Sequence, residues 1–325
     1  MKTEILRLLK EGNGYLSGQQ LCDYFQVSRT AVWKVIEQLK KEGYQIEAVR
    51  HKGYRLVGSP DVLSKAEIES VVQTKWAGRQ VIYYEETDST NIRAKDAGER
   101  DGEHGALFVA ERQVAGKGRR GRGWESPAGA SIYMTLLLRP EFLPGKAPQL
   151  TLLTAVAVAE AIRQVTGLTS KIKWPNDVVS RGKKLCGILT EMSTEIGCIN
   201  YVVIGVGINV NQETFPEEIK DKATSLKLET GGSIRRAELI AAVMERFEAC
   251  YETFLKTEDL SGLRERYNRL LVNRNQEVKV LEPGNEYKAH AMGINDTGEL
   301  LVRTRDGEKA VYAGEVSVRG VYGYV

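Results

Sequence analysis

Gly116-Lys117-Gly118-Arg119-Arg120-Gly121-Arg122-Gly123-Trp124 is the stretch on which the fold class of this 325-residue chain turns. Its spacing Gly116-x-Gly118-x-x-Gly121 formally satisfies a dinucleotide fingerprint, which would imply a doubly wound parallel sheet. That fingerprint must follow a strand and open a helix. Here Trp124-Glu125-Ser126-Pro127-Ala128-Gly129 follows, and then a second apolar strand pattern from Ser131. A Walker A loop fails as well, because Gly118 follows Gly116-Lys117 where Ser or Thr is required. What remains is four glycines interleaved with four cations, Lys117, Arg119, Arg120 and Arg122. Glycine lets backbone N–H groups approach an anion, and arginine offers forked donors to phosphate or carboxylate. Without an anion such a loop repels itself, so mobility is expected, with ordering when a ligand neutralises it.

On either side of the loop, strands and helices mix. Segments 81–84, 106–111, 131–138, 171–174, 185–192 and 201–210 read as strands. Segment 149–165 reads as a long Ala-rich helix and 91–97 as a short one. Hairpin pairs such as 177–180 with 185–192, turned at Arg181-Gly182-Lys183, fit an α+β domain with a mixed sheet. Trp174-Pro175-Asn176-Asp177 has the composition of a strand-ending turn, and Gly205-x-Gly207 that of a strand bulge. Further on, 234–255 is amphipathic with Leu239, Val243, Phe247 and Tyr251 in one stripe, and 260–272 reads as another helix. From Asn275, turns at Pro283-Gly284-Asn285, Asn295-Asp296-Thr297-Gly298 and Asp306-Gly307 punctuate short strands, as in a small SH3-like β-barrel.

The N-terminal sixty residues have a different plan. Ile5, Leu8 and Leu9 give a first helix ending near Gly12-Asn13-Gly14, and Ser17 opens a second carrying Leu21, Cys22 and Phe25. Val27-Ser28 makes a turn, with Ser28 the N-cap of a third helix of about 14 residues. Val32, Val35, Ile36 and Leu39 form its buried stripe, leaving Arg29, Thr30, Trp33, Lys34 and Glu37 opposite. This is a helix-turn-helix, and residues 44–50 and 54–57 add a hairpin wing around His51-Lys52-Gly53. DNA contact is expected from Ser28, Arg29, Thr30, Trp33, Lys34 and Lys52. Residues 1–60 carry ten Lys or Arg against six Asp or Glu, so the chain's net charge of +3 sits here. Gly58-Ser59-Pro60-Asp61 then breaks the pattern, and Ser64-Lys65-Ala66-Glu67 has the form of a capping box.

Composition excludes several classes. No apolar run reaches the roughly 18 to 20 residues of a membrane span. Met1-Lys2-Thr3-Glu4 begins no secretory leader, so the expected compartment is cytoplasmic. Cys22, Cys186, Cys198 and Cys250 form no CxxC pair, and His51, His104 and His290 are scattered, so neither a zinc site nor a triad is expected. Cys22 and Cys250 sit at apolar helical positions as buried thiols.

Four motifs in order carry a family resemblance: the loop 116–124, Lys173-Trp174-Pro175-Asn176-Asp177, Lys184-Leu185-Cys186-Gly187-Ile188-Leu189, and Gly205-Val206-Gly207-Ile208-Asn209-Val210-Asn211. With Thr87-Asp88-Ser89-Thr90-Asn91 and Gln113, they resemble the catalytic domain of biotin–protein ligases. The winged helix extends the resemblance to the subclass that doubles as biotin operon repressor. It implies residues 1–60 for DNA binding, a class II synthetase-like domain over 65–272 for biotin and ATP, and a β domain over 275–325. Ser89, Thr90 and Gln113 would hydrogen-bond biotin's ureido ring, and Asn91 would also belong to the biotin site. Lys117, Gly118 and Arg119 would close over its carboxylate and the adenylate phosphate, and Lys184 would face the reacting centre. Arg119, Arg122, Trp124, Lys173 and Asn209 would bind ATP, with Trp124 on adenine, and Asp177 would help hold Mg²⁺. Catalysis would fall to Lys184, Arg119 and Asp177. The usual family loop begins Gly-Arg-Gly, and Lys117 here keeps the charge without the fork.

The implied chemistry is biotinyl-5′-AMP formation from biotin and ATP, then transfer to a lysine of biotin carboxyl carrier protein of acetyl-CoA carboxylase. A carboxylate is already ionised at pH 7, so the first step needs charge stabilisation rather than a base. Operator DNA of biotin synthesis genes and a ligand-promoted homodimer would complete the partners. A ligand-sensing transcription factor with an inactive ligase domain is one alternative, opposed by the intact basic loop and Lys184. A lipoate-type ligase is another, opposed by the same loop and the 173–177 segment.

Overall fold

The computed structural model describes residues 1–282, 284–313, 317–320 and 324–325. Its N-terminal part places α1 (Lys2–Glu11), α2 (Gly18–Phe25) and α3 (Arg29–Lys41) before a hairpin of β1 (Gln45–Val49) and β2 (Gly53–Gly58). Ser17 closes a full capping box with Gln20 on α2, and Ser28 Oγ accepts the Ala31 N–H on α3. Val32, Val35, Ile36 and Leu39 are buried with Ile5, Leu6, Leu9 and Leu21 in a core of their own.

α4 (Lys65–Val71) starts at Ser64, whose Oγ accepts the Glu67 N–H. The reciprocal arm of the expected capping box is absent. Glu67 is 2% exposed and its carboxylate is taken by Lys10 Nζ at 2.7 Å and Tyr44 OH at 2.5 Å. A better pair of donors from the N-terminal part wins it from the local backbone, and burial further raises the Tyr44 hydroxyl's pKa. A second joint lies at the linker. Arg236 is 2% exposed; its backbone N–H and Nε each meet Asp61 at 2.9 Å, and its Nη1 meets Glu111 at 2.9 Å. Glu111 also accepts the Gly129 N–H, beyond the basic loop.

The central sheet runs β3 (Val81–Thr87), β4 (Leu107–Gln113), β5 (Ser131–Leu138), β6 (Lys171–Lys173), β7 (Asp177–Ser180), β8 (Lys183–Glu195) and β9 (Cys198–Asn209). Spatially the order is β3-β4-β5-β9-β8-β7-β6, with β3 and β4 parallel and the other pairs antiparallel. This is the expected mixed sheet. α5 (Thr90–Gly98) crosses one face over Phe108, Leu137, Tyr201 and Val203. α6 (Gln149–Thr166) and, beyond the short α7 (Leu226–Thr230), α8 (Arg236–Phe254) belong to the main core with Met134, Leu136, Ile204, Val206 and Ile208. The Ala-rich α6 is apolar nearly all round because the sheet and α8 both cover it. α9 (Arg264–Leu270) is shorter than the expected 260–272, since Leu271 leaves the helix to bridge Ile172 and the Val272 N–H bonds Ile172 O at 2.9 Å.

β10 (Gln276–Glu282), β11 (Asn285–Ile294), β12 (Leu300–Thr304), β13 (Gly307–Val311) and β14 (Ser317–Gly320) form an antiparallel sheet in the order β13-β12-β11-β10-β14. The expected turns at 295–298 and 306–307 are present; Pro283 lies outside the described residues. Trp174, 1% exposed, donates its Nε1–H to Gly298 O at 3.1 Å and joins this unit to the central one.

Candidate active site and DNA-facing surface

One face of the central sheet is stripped of side chains. Gly187 pairs with Gly207, Leu189 with Gly205, Gly207 with Tyr133 and Gly205 with Thr135, so these residues share the face that α5 covers at one end. Partners directly opposite point the same way, and β9 pairs regularly through 205–209, so the bulge that the composition of Gly205-x-Gly207 also allowed is absent. A Cβ on Gly207 would stand 2.7 Å from the Trp124 ring, and one on Gly205 2.1 Å from Asn91 Oδ1. The glycines exist for close approach.

The bulge lies on β8 instead. Asp177 pairs with Gly187 and Val178 with Cys186, but Val179 pairs with Lys184, leaving Leu185 extra. In a regular strand Lys184 and Gly187 would point to opposite faces. The extra residue turns Lys184 onto the glycine face. Its Nζ comes 2.6 Å from Asp177 Oδ1 and 5.2 Å from the Trp124 ring centre.

A cavity of about 60 Å³ opens on this face. It gathers Ser89, Thr90, Asn91, Gln113, Lys117, Gly118, Arg119, Trp124 and Lys184 from the sequence-derived set. Ser89 is the N-cap of α5 yet makes no side-chain cap bond. Gln113 Oε1 accepts from the Thr90 N–H (2.8 Å) and hydroxyl (3.1 Å), while its Nε2 donates to Ser126 Oγ at 2.9 Å. Asn91 is held by Thr135 Oγ1 at 2.7 Å and gives its amide to Glu191 at 2.8 Å. The two amides thus hold the wall in place, and the hydroxyls of Ser89 and Thr90 line it.

The basic loop folds as a narrow hairpin: the Gly118 N–H bonds Arg122 O at 2.7 Å, and the Trp124 N–H bonds Gly116 O at 2.9 Å. At its tip Arg120 and Gly121 take positive φ. Trp124 lies over the sheet glycines, and its buried Nε1–H has no partner among the described residues. Arg119 crosses from the loop to Asn176 Oδ1 and Ala313 O, each at 3.0 Å, so the β unit also reaches the site. Burial lowers its pKa from the usual arginine range. A second cavity, about 180 Å³, shares Arg119, Asn176, Ile188 and Leu189 with the first.

The other expected residues stand at the edge. Lys173 is 6% exposed, and burial pushes its pKa down to about 8. Arg122 is exposed on the loop. Asn209 spends its amide on Thr224 O at 3.1 Å. The segment at Trp174–Asn176 is a turn between β6 and β7, as its composition indicated, and Asp177 is the first residue after it. With Arg119, Lys173 and Lys184 around Asp177, cations predominate, which suits an anionic ligand.

On the N-terminal unit, Arg29, Thr30, Trp33 and Lys34 are exposed along one side of α3, Trp33 by 52%, as is Ser28 at its N-cap. A groove of about 660 Å³ between α2, α3 and the wing brings Arg29 and Lys52 together.

Comparison with known proteins matches residues 2–55 to the HTH domain, 83–209 to the Biotin/lipoate A/B protein ligase family and 275–319 to the Biotin protein ligase C terminal domain. The bifunctional ligase/repressor BirA of Bacillus subtilis is 40% identical over 321 residues, 98% of either chain. The chain belongs to the bifunctional ligase/repressor family. The BirA of Escherichia coli is 32% identical, covering 97% of this chain and 96% of its own. Among solved structures, this ligase/repressor resembles the biotin protein ligase of Aquifex aeolicus in complex with biotin and ATP (TM-score 0.66, 32% identity, 74% of this chain and 99% of that one). Thr135 and Glu191 carry no signal in the motifs of this ligase/repressor, and Asn176 and Gly187 stand in its motifs without a role of their own. The alternation of β5 could have singled out Thr135 as a polar residue in an apolar run; the others need the tertiary fold.

Proposed function

We propose that the chain condenses biotin with ATP to biotinyl-5′-AMP, transfers the biotinyl group to a lysine of biotin carboxyl carrier protein of acetyl-CoA carboxylase, and with the adenylate represses biotin synthesis genes. The observation that carries this is the bare glycine face, walled by neutral hydroxyls at one end and lysine and arginine at the other. Biotin has that polarity: an uncharged ureido ring and a carboxylate.

The ureido ring belongs against Ser89 and Thr90, oriented by Asn91 and Gln113. The carboxylate and α-phosphate belong between Lys117, Gly118, Arg119 and Lys184, the adenine against Trp124 near Asn209, and the polyphosphate toward Arg122 and Lys173. A biotin carboxylate oxygen bonds to the α-phosphorus as pyrophosphate leaves; the acceptor amine then attacks the biotinyl carbonyl and AMP leaves. Lys184 and Arg119 stabilise the charge gathering on phosphate oxygens. No cluster of three or more His, Cys, Asp or Glu able to hold a metal occurs among the described residues. Asp177 as a lone carboxylate therefore fits a Mg²⁺ carried in by the polyphosphate rather than a resident ion. Bound there, the ion would neutralise polyphosphate charge. We assign residues 1–60 to operator DNA, 65–272 to catalysis and 275–325 to closing the site through Ala313, with a cytoplasmic, ligand-promoted homodimer as the repressing species.

Incubation with ATP, Mg²⁺, radiolabelled biotin and a carrier domain should label one carrier lysine; an unlabelled carrier sinks the ligase assignment. Gel shift on a biotin-synthesis promoter should strengthen with biotin plus ATP, and indifference to both sinks the repressor assignment. Gly205→Ala should weaken biotin binding about 5- to 150-fold, since overpacking of this kind costs about 1–3 kcal/mol. Calorimetric titration that finds native affinity would remove the glycine face from the biotin site.

A further inference from the structure

Tyr324 stands apart from every motif considered so far. It follows β14, five residues beyond the last position matched by the C-terminal family model at 319, yet it reaches the cation-rich edge of the site. Its hydroxyl donates to Asp177 Oδ2, while Lys184 Nζ lies 2.6 Å from Asp177 Oδ1. Lys173 Nζ sits 3.4 Å from the Tyr324 ring centroid. Three residues from β6, β7 and β8 are thus tied together by one from outside the sheet.

We propose that Tyr324 is a positioning residue for the nucleotide half of the site, fixing Asp177 through its hydroxyl and backing Lys173 with its ring. The inference rests on the ligase reading above. Asp177 lies near two lysines, and a carboxylate free to rotate would neutralise either. Held by Tyr324 on one oxygen and facing Lys184 on the other, it cannot turn to Lys173. The Lys173 ammonium meets an aromatic face instead, an attraction far weaker than a buried ion pair. Lys173 stays a buried cation whose desolvation the nearby Asp177 charge offsets only in part, its pKa pushed down to about 8. A polyphosphate supplies the missing anion. The Tyr324 phenol, itself buried beside the Asp177 charge, is held far above the usual tyrosine range and remains a donor at any physiological pH.

The test separates the two half-reactions. Pyrophosphate release is measured against ATP and against biotin, and transfer is measured from supplied biotinyl-5′-AMP to the carrier domain. Tyr324→Phe, which keeps the ring and loses the hydroxyl, should raise the KM for ATP about 3- to 10-fold, the worth of one hydrogen bond. The KM for biotin and the transfer rate should stay within about twofold. Tyr324→Ala should raise the KM for ATP further. An unchanged KM for ATP in Tyr324→Phe overturns the proposal. So does a fall, which would make Tyr324 an obstruction to ATP, or an equal loss in both half-reactions, which would make it general packing. Failure of the unsubstituted protein to release pyrophosphate at all would instead bring down the ligase reading, before any variant is compared.

Discussion

Lys184→Ala is expected to slow adenylate formation by about 100- to 1,000-fold, as losing a preorganised charge at a reacting phosphate does. The geometry isolates that effect. The Lys184 backbone is pinned on both sides, its N–H to Lys222 O at 2.7 Å and its carbonyl to the Thr224 N–H at 2.9 Å, and neither bond involves the side chain. Truncation therefore leaves the bulge and strand pairing standing. What goes is the ammonium beside Asp177 and Trp124. Because the stabilised charge develops as the carboxylate bonds to phosphorus, the loss should fall on kcat more than on biotin affinity. Lys184→Arg should recover only part of the rate, since a planar fork cannot take the place of a compact ammonium beside Asp177. Single-turnover pyrophosphate release from ATP and biotin measures it; a loss smaller than about tenfold would remove Lys184 from the chemistry.

The same residue marks where the sequence stops being informative. Local chemistry made the basic loop, the capped α3 and the hydrophobic stripe of α8 legible, because each is set by neighbours a few positions away. Lys184 and Gly187 were legible as a motif, but not as occupants of one face: that depends on the single extra residue at Leu185, which only pairing with β7 creates. Gly205 and Gly207 invited a bulge because glycine serves both bulges and close contacts, and only the position of Asn91 and Trp124 decides between them. Glu67 satisfied the capping-box pattern, but long-range donors from Lys10 and Tyr44 outbid a local backbone N–H. The tie of Tyr324 to Asp177 spans 147 residues and leaves no periodic trace.

Arg236→Met should be the most destabilising of the changes considered, by about 3–5 kcal/mol, the usual cost of removing one partner from a buried charge network. The guanidinium touches Asp61, Glu111 and Ser131 O, and Asn211 adds its amide to Asp61 at 2.9 Å. Glu111, 9% exposed, would keep only the Gly129 N–H and stay charged in a poorly solvated place. The damage should spread in two directions. Asp61 holds the linker just past the wing, so the N-terminal unit should dock less firmly. Gly129 ends the segment that follows the basic loop, so that segment should loosen. Urea unfolding followed by tryptophan fluorescence reads the first effect, and proteolysis within 112–130 the second. Adding Glu111→Gln to Arg236→Met should recover about 1–2 kcal/mol, because it deletes the charge left unpaired. Strictly additive losses would contradict the network, since independent contacts cannot rescue one another.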